Sequence, residues 1–180
     1  DLQRRARLSL KTLESLAAGD CFQSLGLDRR NALWHVRGLD KGGPLPLFEY
    51  AEAEAIGTDT HVDLPEMTLG ENVVTDYQTL RLSLKAHPLS LLRPYFSQEG
   101  VIPALDLLSC KNGEIVQLTG LVLVRQRPGT ASGVIFITIE DETGVANLIV
   151  WPKLMERLRP VVMAARLLKV KGRVQKAEGV

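Results

Sequence analysis

One segment, residues 124–144, constrains the fold of this chain more than any other. It leaves an apolar run, passes through a loop at 127–133 that holds Arg127, Pro128 and two glycines, and enters a second apolar run. It then closes on an Asp-Glu-Thr-Gly sequence at 141–144. Glycine, proline and Asx residues favour tight reversals of the backbone. The segment therefore predicts two strands joined by a basic loop and followed by a turn.

The surrounding residues, 113–180, extend this β pattern. Alternating apolar residues predict strands at 114–125, bent at Gly120, and at 134–140, 145–151 and 167–175, with a helix at 152–163. Three strands, a helix and a further strand is the order of an OB-type barrel. The fifth strand of such a barrel is missing from the sequence. We therefore expect a truncated barrel that is a piece of a longer polypeptide.

The last predicted strand carries a row of cations. Side chains at every second strand position share one face, roughly 6.6 Å apart, which places Lys169, Lys171 and Arg173 in a line. Arg125 and Arg127, at the first loop, add positive charge that suits nucleic-acid phosphates. A solvated row without a ligand is the alternative.

Two aromatic residues lie in the predicted barrel. If Ile135, Ile137 and Ile139 fill the core, Phe136 faces the opposite side, where an exposed ring can stack a base. An interdomain contact is the other interpretation of Phe136. Trp151, beside a proline, is interpreted as a plug at the end of the barrel.

Residues 1–40 predict a helical module. Two short helices flank the apolar-Gly-apolar tripeptide around Gly26, and Asp28 suits the N-cap of the second helix. This is the outline of a helix-hairpin-helix unit, in which free backbone N–H groups at a helix start hold a phosphate. Arg29 and Arg30 would add charge-assisted contacts. An ordinary helical hairpin with solvated arginines is the alternative.

Residues 41–110 are predicted to form an acidic connector. The net charge of +1 hides basic ends, with +3 over residues 1–41 and +5 over 111–180, around a middle at 42–110 with three Lys/Arg and ten Asp/Glu. Thr68 and Glu71 form a capping box that predicts a helix at 68–82. Leu47-Phe48 is a candidate hydrophobic anchor, faintly similar to a sliding-clamp docking peptide in which Pro44 replaces the leading glutamine.

The sequence predicts no catalytic centre and no metal site in this segment. It contains no phosphate-binding loop, dinucleotide fingerprint or zinc-type Cys/His spacing. Cys21 and Cys110 are expected to be buried, reduced thiols. No apolar run approaches the roughly 18 residues of a membrane span, and the absence of a signal-type apolar region predicts a cytoplasmic protein. We therefore expect no membrane partner.

Four stretches of this sequence, taken in order, carry a family resemblance. They are residues 13–22, residues 25–34, residues 74–77 with Ser83 and His87-Pro88, and the segment from Val124 through Trp151-Pro152. Together they resemble the bacterial error-prone, translesion-type DNA polymerases related to the polymerase III α subunit. The loop at 127–133 with the turn at 141–144 is the most specific of them.

The resemblance implies an α+β C-terminal region with three parts: a helix-hairpin-helix module at 1–40, a connector at 41–110 and an incomplete OB domain at 111–180. It implies a DNA-directed DNA polymerase of the bacterial cytoplasm that acts in damage tolerance and uses Mg²⁺ at aspartates upstream of this segment. The implied partners are single-stranded and primer-template DNA. A sliding clamp or translesion accessory proteins are further candidates.

Two other functions remain open at this point. An OB domain of the tRNA anticodon-binding type from a class II synthetase would prefer RNA through 2′-hydroxyl contacts. A protein-docking module would instead recruit partners through Leu47-Phe48 or the acidic connector.

Overall fold

The computed structural model describes residues 2–39, 62, 64–130 and 132–176. The chain divides into two compact units, Asp1–Lys85 and Ala86–Val180. The three-part division with limits at 40 and 110 stays a prediction. The Leu47-Phe48 anchor lies outside the described residues.

The first unit is helical. Its helices are α1 (Leu2–Ala6), α2 (Leu10–Ala18), a 3₁₀ turn (Gln23–Leu25), α3 (Arg29–Arg37) and α4 (Leu69–Thr79). Their starts follow capping chemistry: Asp28 accepts from the Asn31 N–H, and Thr68 and Glu71 form both hydrogen bonds of the predicted capping box. A small apolar core of Leu13, Ala17, Phe22, Ala32 and Val36 lies between α2 and α3.

The second unit is an antiparallel sheet with short helices. Its elements are a 3₁₀ turn (Pro88–Leu91), α5 (Arg93–Gln98), a 3₁₀ helix (Ala104–Leu108), β1 (Ile115–Gln126), β2 (Ile135–Asp141), β3 (Gly144–Val150), α6 (Pro152–Ala164) and β4 (Leu167–Arg173). The strand order is β3-β2-β1-β4. Each predicted strand and the predicted helix are present, which confirms the α+β fold class.

Strand β1 serves two neighbours in succession. Its first half, Ile115–Leu121, pairs with β4, and its second half, Leu121–Gln126, pairs with β2. Gly120 lies at this change of partner, where an added Cβ would be 2.7 Å from Ile139 Cβ. A larger residue would therefore force the strands apart, which explains the glycine at the predicted bend.

The core of the second unit lies on one face of the sheet. Ile135, Ile137 and Ile139 are almost fully buried, as their alternation predicts, and α6 covers them with Met155 and Val162. Apolar surface removed from water stabilises a fold by about 25 cal/mol per Å², so the burial of these isoleucines stabilises the second unit. Their burial fixes β2 so that its even-numbered residues face the other way.

The prediction that both cysteines are buried is wrong. Cys21 is exposed and Cys110 is partly exposed, because both lie in short irregular segments rather than on a packed face. Among the described residues, no helix is both long and apolar enough to cross a bilayer.

Candidate nucleic-acid interface

The sheet face opposite the core carries a group of exposed apolar side chains near the β1–β2 loop. Phe136 of β2 lies directly across from Ile149 of β3, and the two are 38% and 43% exposed. Trp151 follows on the same alternation as Ile149 and is 58% exposed. We call Phe136, Ile149 and Trp151 the stacking face. Exposed aromatic groups on strands 2 and 3 are how OB folds meet nucleic-acid bases.

The exposure of Trp151 corrects the prediction that this side chain plugs the barrel. Val150 is buried, and the extended backbone at Trp151 (φ −72°, ψ 150°) carries the strand alternation one residue further. The indole therefore points away from the core. Continuing the alternation of β3 past its last paired residue would have revealed this from the sequence.

A polar pair lies beside the stacking face. The Thr138 hydroxyl is 2.8 Å from Asn147 Oδ1, and the two residues are direct partners across β2 and β3. Sequence reasoning missed Asn147 and Ile149, because neither is basic or aromatic. Their positions on β3 are nevertheless set by its period of two.

Arg127 lies in the loop next to this face. An added Cβ at Gly133, which has φ +84°, would lie 3.6 Å from Pro152 Cγ and 3.8 Å from the Arg127 guanidinium. The loop therefore folds back toward the Trp151-Pro152 pair, and Arg127 remains exposed there. This brings one predicted cation close to the stacking face.

Arg125, in contrast, has a structural position that departs from its predicted role as a phosphate contact. Its Nε donates to the Val162 carbonyl at 2.6 Å, and its Nη2 donates to the Ala165 carbonyl. The last turn of a helix leaves carbonyl groups without internal partners, and a guanidinium satisfies them. Arg125 thus secures the end of α6.

The predicted cationic row of Lys169, Lys171 and Arg173 lies on one face of β4, as expected. Lys171 is exposed, and Arg173 Nη1 donates to the Gly113 carbonyl at 3.3 Å. Lys169 forms an ion pair with Glu99. The hydrogen bond from Lys169, and secondly one from Tyr95, lower the pKa of Glu99. The row is therefore partly neutralised by an acid from the segment after α5.

In the first unit, Arg29 also departs from its predicted role. It is only 2% exposed, pairs through Nη2 with the Asp76 carboxylate and donates through Nη1 to the Asn72 carbonyl at 3.0 Å. Burial alone raises the pKa of Asp76, but hydrogen bonds from Ser83 and Arg29 outweigh it and hold that pKa below its ordinary value. Arg29 is a buried tie between α3 and α4.

Two backbone N–H groups near the predicted phosphate site around Gly26 have internal partners. The Gly26 N–H donates to the Gln23 carbonyl at 2.9 Å, and the Asn31 N–H donates to the Asp28 carboxylate at 2.8 Å. That hydrogen bond lowers the pKa of Asp28, which keeps a negative charge at the start of α3. Arg30 donates to the Pro65 carbonyl at 2.6 Å. Asp28, the acidic N-cap of α3, therefore disfavours the binding of a phosphate at the start of this helix.

The turn at 141–144 forms a dense set of hydrogen bonds around Asp141. One carboxylate oxygen accepts from the Thr143 and Gly144 N–H groups at 2.8 and 3.1 Å. The other accepts from the Ala104 N–H and from Arg93 Nη2, each at 2.8 Å. Burial raises the pKa of Asp141, but hydrogen bonds from the Thr143 hydroxyl and from the Ala104 and Thr143 N–H groups, together with the Arg93 charge, outweigh it and lower that pKa.

Arg93 also engages Glu142, so both acids of the turn are occupied by contacts within this unit. Across the described ranges, no group of three or more His, Cys, Asp or Glu side chains could hold a metal ion. The role of Arg93 was not visible in the sequence, because its partners lie 48 and 49 residues away.

Comparisons with known proteins agree with this geometry. Residues 109–180 match the family labelled tRNA_anti-codon and described as an OB-fold nucleic acid binding domain. The whole chain is 54% identical to an error-prone DNA polymerase of Sinorhizobium medicae and 52% identical to error-prone DNA polymerase 1 of Rhizobium meliloti, spanning 16% of each. It is 48% identical to the error-prone DNA polymerase of Brucella abortus, spanning 17% of it.

The chain thus spans about one sixth of the length of the curated relatives it matches. The match runs through both compact units and is not confined to the OB region. The resemblance predicted from the sequence is therefore confirmed: this chain is similar, over its entire length, to a segment of the error-prone DNA polymerases.

Proposed function

We propose that this chain is the DNA-binding region of an error-prone DNA-directed DNA polymerase and that its second unit holds single-stranded template. The observation that carries the proposal is the exposure of Phe136 and its cross-strand partner Ile149 on the sheet face opposite the core, with the exposed Trp151 two residues after Ile149. Leaving such side chains in water forgoes the free energy of burying them, and base stacking recovers it.

Charge supports the same surface. Arg127 supplies a cation beside the stacking face, and Lys171 and Arg173 supply others on β4. Each phosphate neutralised by such a cation releases counterions, which makes binding dependent on salt. Arg29 and Arg125 are excluded from the proposed contacts because internal carbonyl and carboxylate groups occupy them. In the first unit, Arg30 is kept as a candidate phosphate contact with primer-template DNA because its side chain is 37% exposed, although it also donates to the Pro65 carbonyl.

The wider activity is proposed from the relatives. The whole protein would extend DNA from deoxynucleotides in the bacterial cytoplasm during damage tolerance, with Mg²⁺ at a polymerase site outside this segment. A helix-hairpin-helix role for α2 and α3, and a clamp or accessory protein as partner, belong to the same proposal.

A tRNA-type function is the second candidate, because the matched family is labelled tRNA_anti-codon. The matches to DNA polymerases, which run over the whole of this chain, favour DNA over RNA. A ribonucleotide strand would bind better only if the protein contacts 2′-hydroxyl groups. Comparing the two strands at equal length and salt decides between the candidates.

Tryptophan fluorescence tests the proposal directly. Trp34 is replaced by Phe in the full 180-residue chain, which leaves Trp151 as the only indole, and a deoxythymidine oligonucleotide is titrated at low and moderate salt. We expect quenching of Trp151 and salt-sensitive binding. Phe136→Ala should weaken binding by about 1–3 kcal/mol.

The matched control is Leu108→Ala, which truncates an exposed apolar side chain on the 3₁₀ helix rather than on the sheet. This variant should bind like its parent. A folded chain whose fluorescence does not respond at low salt, or a Phe136→Ala variant that binds like Leu108→Ala, would rule out the stacking face as the binding site.

A further inference from the structure

Lys169, the first residue of the cationic row, is engaged by an acid of its own unit. Its ammonium is paired with the carboxylate of Glu99, the residue that follows α5. The two side chains are 40% and 35% exposed, so both remain within reach of solvent and solutes. Lys171, two residues along β4, is exposed as well.

Glu99 is placed on Lys169 by a well-anchored segment. Its backbone N–H donates to the Phe96 carbonyl at 3.1 Å, and the Phe96 ring packs in a small core with Leu89 and Val101. Val101 forms a bridge with Gln117 of β1, and Gln117 is the direct partner of Lys171 on β4. The segment that bears Glu99 is therefore attached to the strands beside the row.

The chemistry of this contact matches that of a phosphate. A lysine ammonium is a compact point charge with three donors, and it binds a carboxylate oxygen or a phosphate oxygen in the same way. Glu99 therefore occupies the position on Lys169 that a backbone phosphate would take. An exposed ion pair of this kind is weak and exchanges readily, so it opposes binding without preventing it.

We propose that Glu99 is an intramolecular competitor that masks Lys169 from nucleic-acid phosphates and is displaced when a strand binds. This inference rests on the proposed function, because it assumes that single-stranded DNA reaches β4. A masked cation lowers affinity and keeps the hold on the strand reversible. Such a hold suits a surface past which a template has to move.

Fluorescence anisotropy of a labelled deoxythymidine oligonucleotide, measured over a series of salt concentrations, tests the proposal. The full 180-residue chain is compared with Glu99→Gln and with the control Glu156→Gln, which removes the same charge from α6. The double variant Glu99→Gln/Lys169→Met, compared with Lys169→Met alone, isolates the pair. Circular dichroism confirms that every variant is folded.

We expect Glu99→Gln to bind about two- to five-fold more tightly at moderate salt, because an exposed ion pair no longer has to be broken. Since Lys169 contacts a phosphate once Glu99 is displaced, the slope of log affinity against log salt should stay the same in Glu99→Gln and become shallower by roughly 0.7 in Lys169→Met, which loses that phosphate contact. Glu156→Gln should leave the affinity unchanged. In the Lys169→Met background, removing the Glu99 charge should have no effect.

Two results would overturn the inference while leaving the proposed function intact: a Glu99→Gln variant that binds like Glu156→Gln, or a gain that persists without Lys169. If neither the unmodified chain nor any variant binds at low salt, the proposed function fails and the inference fails with it. Binding that appears only in Glu99→Gln would support strong masking of Lys169.

Discussion

Arg29 in the first unit and Arg127 in the second have similar sequence contexts but opposite environments. Each lies close to a glycine and a turn, and each is predicted to contact phosphate. Arg29 is buried against Asp76, whereas Arg127 remains exposed beside the stacking face. An arginine near a turn is therefore not sufficient evidence for a phosphate contact. For this pair of arginines, the difference is that an acid from elsewhere in the chain, Asp76, reaches the Arg29 guanidinium.

The largest expected effect comes from breaking the buried pair. Asp76→Asn removes the charge that compensates Arg29 and should destabilise the first unit by about 3–5 kcal/mol, because a buried guanidinium is left without its counter-ion. Urea unfolding followed by circular dichroism measures this loss. If the unfolding midpoint of Asp76→Asn equals that of the unmodified chain, the Arg29–Asp76 pair does not hold α3 and α4 together.

A smaller loss of stability is expected when Asp141, which pairs with Arg93, is replaced. Asp141→Asn should cost about 1.5–3 kcal/mol, the range for hydrogen bonds to a charged group. Thermal unfolding measures it, with the exposed Asp106→Asn as a control that should unfold like the parent. An Asp141→Asn variant as stable as this control would show that the turn does not depend on the carboxylate.

The same substitution should alter the pH dependence of stability. The pKa of Asp141 is lower in the folded state than in the unfolded chain, so its stabilising contribution is present above the unfolded pKa of about 3.9. That contribution is lost as the pH falls through the folded-state pKa. Asp141→Asn should therefore flatten the acid limb of the stability curve.

The smallest effect sharpens the comparison between the two arginines. Arg127→Ala should leave the unfolding midpoint unchanged and reduce the salt slope of single-strand binding by roughly 0.7, because one phosphate contact is lost. Arg29→Met should instead lower the unfolding midpoint and leave the salt slope unchanged. A marked loss of stability in Arg127→Ala would mean that the two arginines do not differ in kind.

The strands could be predicted because their signal is local. The alternation around Ile135, Ile137 and Ile139 identifies the buried face of β2 and hence the exposure of Phe136 without knowledge of any partner. Capping residues do the same for helices, since Thr68 and Glu71 contact each other within one turn. Trp151 was misplaced although its signal was also local, because the alternation was not carried past the end of β3.

The fates of the cations could not be predicted in this way. Arg29 pairs with Asp76, which lies 47 positions further along the chain, and Lys169 pairs with Glu99, which lies 70 positions before it. Arg125 is taken up by carbonyl groups at the end of α6, which become free acceptors only once the helix ends there. Charge by itself does not indicate which of these partners a side chain will reach.

The amino-acid sequence by itself determined the order of the elements, the buried face of the sheet and the family resemblance, because each depends on neighbouring residues or on motifs read in order. The tertiary structure alone decided which cations are free and which acids neutralise the others. The physical reason for this difference is the distance along the chain over which each effect acts. Periodicity and capping act within one or two turns of chain, whereas ion pairing depends on which distant segments the fold brings together.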